Sequence, residues 1–143
     1  MNYLTSKFCL SLAIVVLLVG LNSCGHEQQL VSISIQPQTE TFGASNIPVS
    51  ASAGATVQLR AIGNYIHPPV SKDITNQVVW NSNTPQMVTV DAATGLITVT
   101  GQACGDTLIS ATVTTNHSIG NVSSSGALVT GNMTASVVCF TGP

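Results

Sequence analysis

Charged and aromatic side chains are scarce in this sequence of 143 residues. Asp, Glu, Lys and Arg together make up 6% of it, aromatic residues make up 4%, and the formal net charge at pH 7 is −2. A surface that binds nucleic acid needs clustered Lys and Arg to neutralise phosphates, and this chain has 3 such residues in total. Low charge together with 44% hydrophobic residues also argues against intrinsic disorder. We therefore predict a folded protein that does not bind nucleic acid.

Recognisable catalytic and metal-binding motifs are missing as well. The sequence contains no G-x-S-x-G elbow, no H-E-x-x-H and no phosphate-binding G-x-x-x-x-G-K loop. The three histidines, His26, His67 and His117, have no cysteine or carboxylate at a spacing typical of a zinc site or an activated nucleophile. We therefore predict no enzymatic activity, no cofactor and no metal.

One long apolar run is present, and it lies near the start of the chain. Lys7 precedes the run Phe8–Leu21, which is shorter than the ~20 residues that a helix needs to cross a bilayer. A charged start, an apolar centre of this length and small residues at its end are typical of a secretory signal peptide. We predict that residues 1–23 are a cleaved signal peptide and that the protein is exported.

The end of that segment, Leu21-Asn22-Ser23-Cys24, resembles the lipobox of bacterial lipoproteins, with Asn22 as an unusual occupant of its position. The resemblance implies that Cys24 is lipidated and becomes the acylated N-terminus of a tether, residues 24–29. Several acyl chains, at about 0.8 kcal/mol per buried methylene, would anchor the protein to a membrane essentially permanently. The alternative is an ordinary signal peptide with an incidental cysteine. Gly25 stands where an aspartate would retain an enterobacterial lipoprotein in the inner membrane, so the resemblance implies the outer membrane in a Gram-negative cell.

Residues 30–143 are predicted to form one β-rich domain. Val31–Ile35 alternates apolar and polar residues, the period of a strand with one buried face, until Pro37 ends it. Thr39–Gly54 is predicted to be a loop with a short edge strand near Val49, and the Pro68-Pro69 pair makes Gly63–Thr75 irregular. Further strands are predicted at 57–62, 77–81, 87–91, 96–100, 108–114 and 133–140, with an edge strand at 126–130 as an option.

About seven short strands separated by turn residues fit an antiparallel two-sheet sandwich. The central part of the chain resembles the bacterial immunoglobulin-like domain, group 2, which is found in invasin- and intimin-type surface proteins. The resemblance covers roughly residues 30–115 and rests on VQLRA at 57–61, Trp80, Ser82-Asn83, Val88-Thr89-Val90-Asp91, Thr94-Gly95-Leu96 and Ile109-Ser110-Ala111-Thr112. It implies an all-β, Ig-like fold and a bacterial envelope protein.

Two side chains in this region have predicted structural roles. Trp80 could be a platform on which a sugar stacks, but its flanking valines and its position in the family favour the core. Asp91 is expected to bond the backbone amides that follow it, while Gly95 adopts a positive φ.

The chain departs from the family after residue 115. The extension either supplies a closing hairpin of its own or replaces the last strand of the family. It contains Cys139, which pairs with Cys104 if Cys9 leaves with the signal peptide and Cys24 is lipidated. An oxidising envelope favours a disulfide, and this one would stabilise the fold by roughly 3–4 kcal/mol. The sequons at Asn116, Asn121 and Asn132 are interpreted as loop composition, because a lipobox implies a bacterium.

One loop is a candidate ligand-binding surface. The loop GNYIHPPVSKDIT contains Tyr65, His67 and Lys72, an aromatic ring beside hydrogen-bonding groups that could hold a sugar or a peptide on a rigid scaffold. The alternative is a solvated loop with Tyr65 packed against the edge of the sheet. Three hypotheses therefore stand: a membrane-anchored spacer domain, an adhesin or other binding module for a protein or glycan, and a small hydrolase.

Overall fold

The computed structural model describes residues 28–115, 117–119, 122–124 and 126–142. Within these residues the chain forms strands and one short 3-10 turn, Val49–Ser52, and no α-helix. The strands are β1 Gln29–Gln36, β2 Thr39–Phe42, β3 Thr56–Gln58, β4 Arg60–Ile66, β5 Val70–Asp73, β6 Val79–Ser82, β7 Val88–Val90, β8 Leu96–Val99, β9 Gly105–Thr114, β10 His117–Ile119, β11 Val122–Ser124 and β12 Leu128–Val137. The predicted all-β fold is confirmed. The predicted signal peptide, Cys24 and most of the tether lie outside the described residues.

Two layers of strands form the sandwich. The first layer contains β1-β4-β5 and β3-β8-β7, and the second contains β2-β12-β9-β6. Leu59, the residue between β3 and β4, is fully buried and its amide bonds the Gly95 carbonyl, so β3 and β4 act as one bent strand that joins the two halves of the first layer. In both layers the pairing is antiparallel, except that β2 runs parallel to β12. A separate antiparallel hairpin, β10-β11, follows β9.

The core lies between the layers and is filled by alternate residues of the facing strands, as the period of two requires. The side chains with the least exposure are aliphatic, which matches the prediction of a half-buried alternating pattern. Gly131 in β12 lets β1 come unusually close, since a Cβ at this position would lie 2.5 Å from the carbonyl oxygen of Ile33. The largest fully buried side chains are those of Ile35, Leu59, Ile97, Ile109, Met133, Val88, Val99 and Val137.

The C-terminal extension does both things that the sequence left as alternatives. β12 inserts between β9 and β2, with Leu128 opposite Thr114 and Val137 opposite Gly105, so it completes the second layer. The β10-β11 hairpin is added to the sandwich. The prediction of a separate edge strand at 126–130 is wrong, because residues 128–137 form one continuous strand between β9 and β2.

Two other segments differ from the prediction. Residues 39–42 form β2 within the predicted loop, while the edge strand expected near Val49 is a 3-10 turn. The segment 63–75 is more regular than predicted, because β4 continues to Ile66 and β5 pairs back on it. The two prolines lie in the turn between these strands, where their missing amides interrupt no ladder.

The strand directions give the sandwich two distinct ends. At the end that we call the N-terminal end, β1 begins at Gln29, β4 ends at Ile66 and β12 begins at Leu128. Ile33 lies against Gly131 and the Gln38 carbonyl accepts from Thr134 N, so β1 runs in the same direction as β12. β4 runs antiparallel to β1, so its end lies at the same level as the starts of β1 and β12. At the opposite end, β9 begins and β12 ends; we call it the disulfide end because Cys104 and Cys139 lie there.

Candidate functional site

The predicted binding residues lie on the β4-β5 hairpin at the N-terminal end. Tyr65 is half-buried and packs against the core, and the Lys72 ammonium nitrogen lies 5.1 Å from the centroid of its ring. The same nitrogen donates a hydrogen bond to Gln28 Oε1. His67 is exposed in the turn at the tip, with φ 62°. The fold thus brings Tyr65 and Lys72 together, with Lys72 offering the exposed charge and Tyr65 supporting it.

A second candidate is a groove on the outer face of the first layer, which the sequence did not indicate. It has a volume of about 510 Å³, and Gln58, Arg60, Asp73, Thr75 and Thr94 are among the residues that line it. Arg60 Nη2 lies 2.7 Å and Arg60 Nε 3.0 Å from Asp73 Oδ2. Gln58 Nε2 donates to the Thr94 carbonyl at 2.6 Å. These polar groups bond one another, so the groove presents a neutral, hydrogen-bonded surface.

The Asp73 carboxylate is held in its charged form. Thr75 donates to Asp73 Oδ1 from its hydroxyl at 2.6 Å and from its amide at 3.0 Å. These bonds, followed by those from Arg60, lower the pKa of Asp73 from 3.8 to about 2. A general acid or base works best with a pKa near the working pH. Asp73 is therefore a structural group that positions Arg60 and the following turn.

Asp91 has a turn-forming role, as its position in the sequence predicts. Its Oδ1 accepts hydrogen bonds from Ala93 N at 3.0 Å, Thr94 N at 2.7 Å and Thr94 Oγ1 at 2.8 Å. The bonds from Thr94 are the main reason that the pKa of Asp91 is lowered. Gly95 follows with φ 73° and lies on the indole of Trp80.

Trp80 lies in the core. Its side chain is 2% exposed, and Nε1 donates to the Thr75 carbonyl at 3.0 Å. A buried ring whose only polar atom is satisfied cannot stack on a sugar, so Trp80 is not a ligand platform.

Cys104 and Cys139 form a disulfide in the structure. The two residues are 35 positions apart in sequence and their Cα atoms are 5.1 Å apart. Cys104 precedes β9 and Cys139 follows β12, the two longest strands of the second layer. The bond therefore ties together the ends of the pair at the disulfide end.

Clusters of metal-ligating side chains are not found in the described part of the chain. No group of three or more His, Cys, Asp or Glu side chains there could hold a metal ion. Asp106, two residues after Cys104, accepts a hydrogen bond from Ser136 Oγ at 2.5 Å. The same residues contain no helix with the length and hydropathy of a membrane-spanning segment.

Comparison with models of protein families identifies the family of this chain. The model of the bacterial Ig-like domain (group 2) matches residues 32–121. The chain belongs to this family. Bacterial Ig-like domains occur in surface and cell-envelope proteins and are generally non-catalytic. The match ends before β12, so one of the two central strands of the second layer in this Ig-like domain comes from the extension. No curated protein matches the chain.

The groove that Arg60 and Asp73 line was not predicted from the sequence, because its residues are not close together in any periodic pattern. Their contact follows from the register of β4 with β5, in which Ile62 faces Asp73. The only sequence signal was a pair of opposite charges on either side of a Pro-Pro turn, a pattern that many solvated loops share.

Proposed function

We propose that this protein is a lipoprotein of the bacterial cell envelope, anchored by acyl chains on Cys24, whose Ig-like domain is a non-catalytic spacer. The observation that carries the proposal is the lipobox-like sequence Leu21–Cys24, which lies directly before a domain of a surface-protein family. Only the tether separates the acylated residue from β1. In a Gram-negative cell, Gly25 after the cysteine favours the outer membrane.

The bonding of the carboxylates supports a non-catalytic role. Asp73 is paired with Arg60 and Thr75, Asp91 holds a turn, and Asp106 bonds Ser136. Each of these acids is occupied by a structural contact, so none is placed as a general base beside a nucleophile. A small hydrolase is therefore the least supported of the three hypotheses.

Metabolic labelling with a radioactive fatty acid tests the anchor. We expect label on the wild-type protein and none on the Cys24→Ser variant, because Cys24 supplies both the sulfur and the new amino group for acylation. Cys9→Ser is the matched control and should be labelled as well as wild type, because Cys9 lies inside the signal peptide. A wild-type protein without label, or one released freely into the medium, would refute the lipoprotein proposal.

The alternative function is adhesion, with loops at one end of the sandwich binding a glycan or a protein. The pairing of Tyr65 with Lys72 favours the β4-β5 hairpin as the contact. A glycan array and a cell-adhesion assay on the protein test it, with Tyr65→Ala and Lys72→Gln as variants. Binding that is unchanged in both variants would remove Tyr65, His67 and Lys72 as the ligand site.

A further inference from the structure

Lys72 differs from the other basic residues of the sequence in the groups that surround its charge. Of the 3 Lys and Arg residues in the sequence, Lys7 belongs to the predicted signal peptide, and Arg60 is neutralised by Asp73 at 2.7 Å. The Lys72 ammonium contacts the Tyr65 ring and the neutral Gln28 amide. Within the described residues it is therefore the one Lys or Arg side chain without a carboxylate in the ion pairs of the structure.

The position of this ammonium is fixed by the first described residue of the domain. Gln28 accepts its hydrogen bond, and β1 begins at the next residue. Four residue steps separate Cys24 from Gln28, and an extended chain spans at most ~3.3–3.6 Å per residue. The Cα atom of Gln28 is consequently held within about 14 Å of that of Cys24 along the tether, a distance comparable to the polar layer of one bilayer leaflet plus one Debye length. The Lys72 ammonium bonds the side chain of Gln28 and is therefore held near the same level.

Apolar side chains surround the same end. Val31 is 48% exposed, Val70 is 37% exposed and Leu128 is 67% exposed. Val70 belongs to the Leu30-Tyr65-Val70 row that joins β1, β4 and β5, and Val31 follows Leu30 in β1. Leu128 begins β12. A half-buried tyrosine, a lysine on a long stem and exposed aliphatic groups are the side chains that favour the interface between water and lipid.

Two carboxylates that form no ion pair in the described part of the chain, Glu40 and Asp106, lie toward the opposite end. Glu40 lies opposite Ala135 and Asp106 lies opposite Ser136, both toward the disulfide end. An anionic bilayer would attract the end that carries Lys72 and repel the end that carries these acids. Glu27 precedes Gln28 in the sequence and is the acidic residue of the tether that would weaken this attraction.

We propose that the N-terminal end of the domain rests on the bilayer, with the Lys72 ammonium bound to anionic lipid headgroups and Val31, Val70 and Leu128 at the interface. The proposal rests on the proposed lipid anchor and adds an orientation to it. The β4-β5 hairpin then faces the membrane. The loops at the disulfide end point away from it, so a binding partner in the surrounding medium would meet those loops first.

The test uses the mature lipidated protein, in which Lys72 is the single lysine from Cys24 to Pro143. The protein is reconstituted into phosphatidylcholine vesicles with or without 30% phosphatidylglycerol, and Lys72 is labelled with an uncharged amine-reactive ester and quantified by peptide mass spectrometry. Attraction to an anionic surface favours the bound position of a nearby lysine ammonium roughly five-fold in the equilibrium constant. We expect labelling to be about five-fold slower in the anionic vesicles, and high salt to remove most of the difference.

A variant with its lysine at the other end is the matched control. Lys72→Gln combined with Gln102→Lys moves the lysine to an exposed turn at the disulfide end, and this lysine should be labelled equally in both vesicles. Glu27→Gln should slow the labelling of Lys72 further. Equal rates for Lys72 in the two vesicles, or equal slowing at both positions, would overturn the orientation. Failure of the wild-type protein to float with vesicles would overturn the anchor as well, so the two failures are distinguishable.

Discussion

Replacing Gly95 tests its close packing against the indole of Trp80 in the core. Gly95 has φ 73°, and a Cβ added there would lie 2.6 Å from Cε2, 2.8 Å from Cζ2 and 2.9 Å from Nε1 of Trp80. Gly95→Ala therefore carries two penalties. A non-glycine residue in the left-handed region costs about 1–2 kcal/mol, and overpacking a buried ring costs about 1–3 kcal/mol more. We expect the free energy of unfolding to fall by about 2–5 kcal/mol.

Gly54 provides a control for the backbone penalty alone. Its φ is 81°, close to that of Gly95, but a Cβ there would meet nothing within 4 Å. Gly54→Ala should lower the free energy of unfolding by about 1 kcal/mol, because the left-handed penalty is partly offset by a less flexible unfolded chain. The difference between the two variants measures the contact with the indole.

Equilibrium denaturation in urea, followed by circular dichroism, gives both values. A second background, Trp80→Phe, removes the indole atoms nearest to Gly95, so Gly95→Ala should cost about as much there as Gly54→Ala does in the wild type. The difference between the cost of Gly95→Ala in the two backgrounds is the coupling energy between Gly95 and Trp80, separated from the other effects of either substitution. Equal destabilisation by Gly95→Ala and Gly54→Ala in the wild type would show that the packing of Gly95 on Trp80 is not what makes glycine necessary.

Two further predictions concern the disulfide and the acidic turn. Replacing Cys104 and Cys139 by serine should lower the free energy of unfolding by about 3–4 kcal/mol, and thiol titration of the unfolded, unreduced wild-type protein should find neither of these thiols free; finding both free would refute the bond. The pKa of Asp73 should be about 2 by carbon NMR. Because this folded-state pKa lies below the ordinary 3.8, the stabilisation is complete above about pH 4 and is lost as the pH falls through about 2. Thr75→Ala should raise the pKa more than Arg60→Gln does, and the reverse order would contradict the assignment of Thr75 as the main cause.

Local patterns were sufficient for the strands with one buried face. Ile33 and Ile35 are buried on either side of Ser34, as the alternation predicts, and β1 covers them. Val31 was predicted on the buried face but is exposed, because the register of β1 on β4 shifts between Leu30 and Ser32 and Leu30 is buried instead. The turn that Asp91 begins and Gly95 ends could be predicted because its bonds join residues at most four apart. Where the structure depends on neighbours in sequence, the sequence was informative.

Strands without this alternation could not be predicted. All four residues of β5, Val70–Asp73, are exposed, and in β2 only Phe42 is buried, so neither strand has a hydrophobic period. β12 was divided in two because Gly131 interrupts its apolar pattern, yet this glycine is needed where Ile33 crosses it. The position of Lys72 beside Gln28 was also inaccessible, since it depends on the pairing of β1, β4 and β5.

The place of β12 in the second layer has a consequence for biogenesis. β12, the last strand of this domain in sequence, lies between β9 and β2, and until it is synthesised both neighbours expose unpaired backbone edges that can recruit other chains. The second layer cannot close before β12 has been synthesised, so the growing polypeptide must be kept from premature self-association until then. A product truncated before Leu128 would retain all of the residues that match the family and still be a substrate for proteolytic quality control.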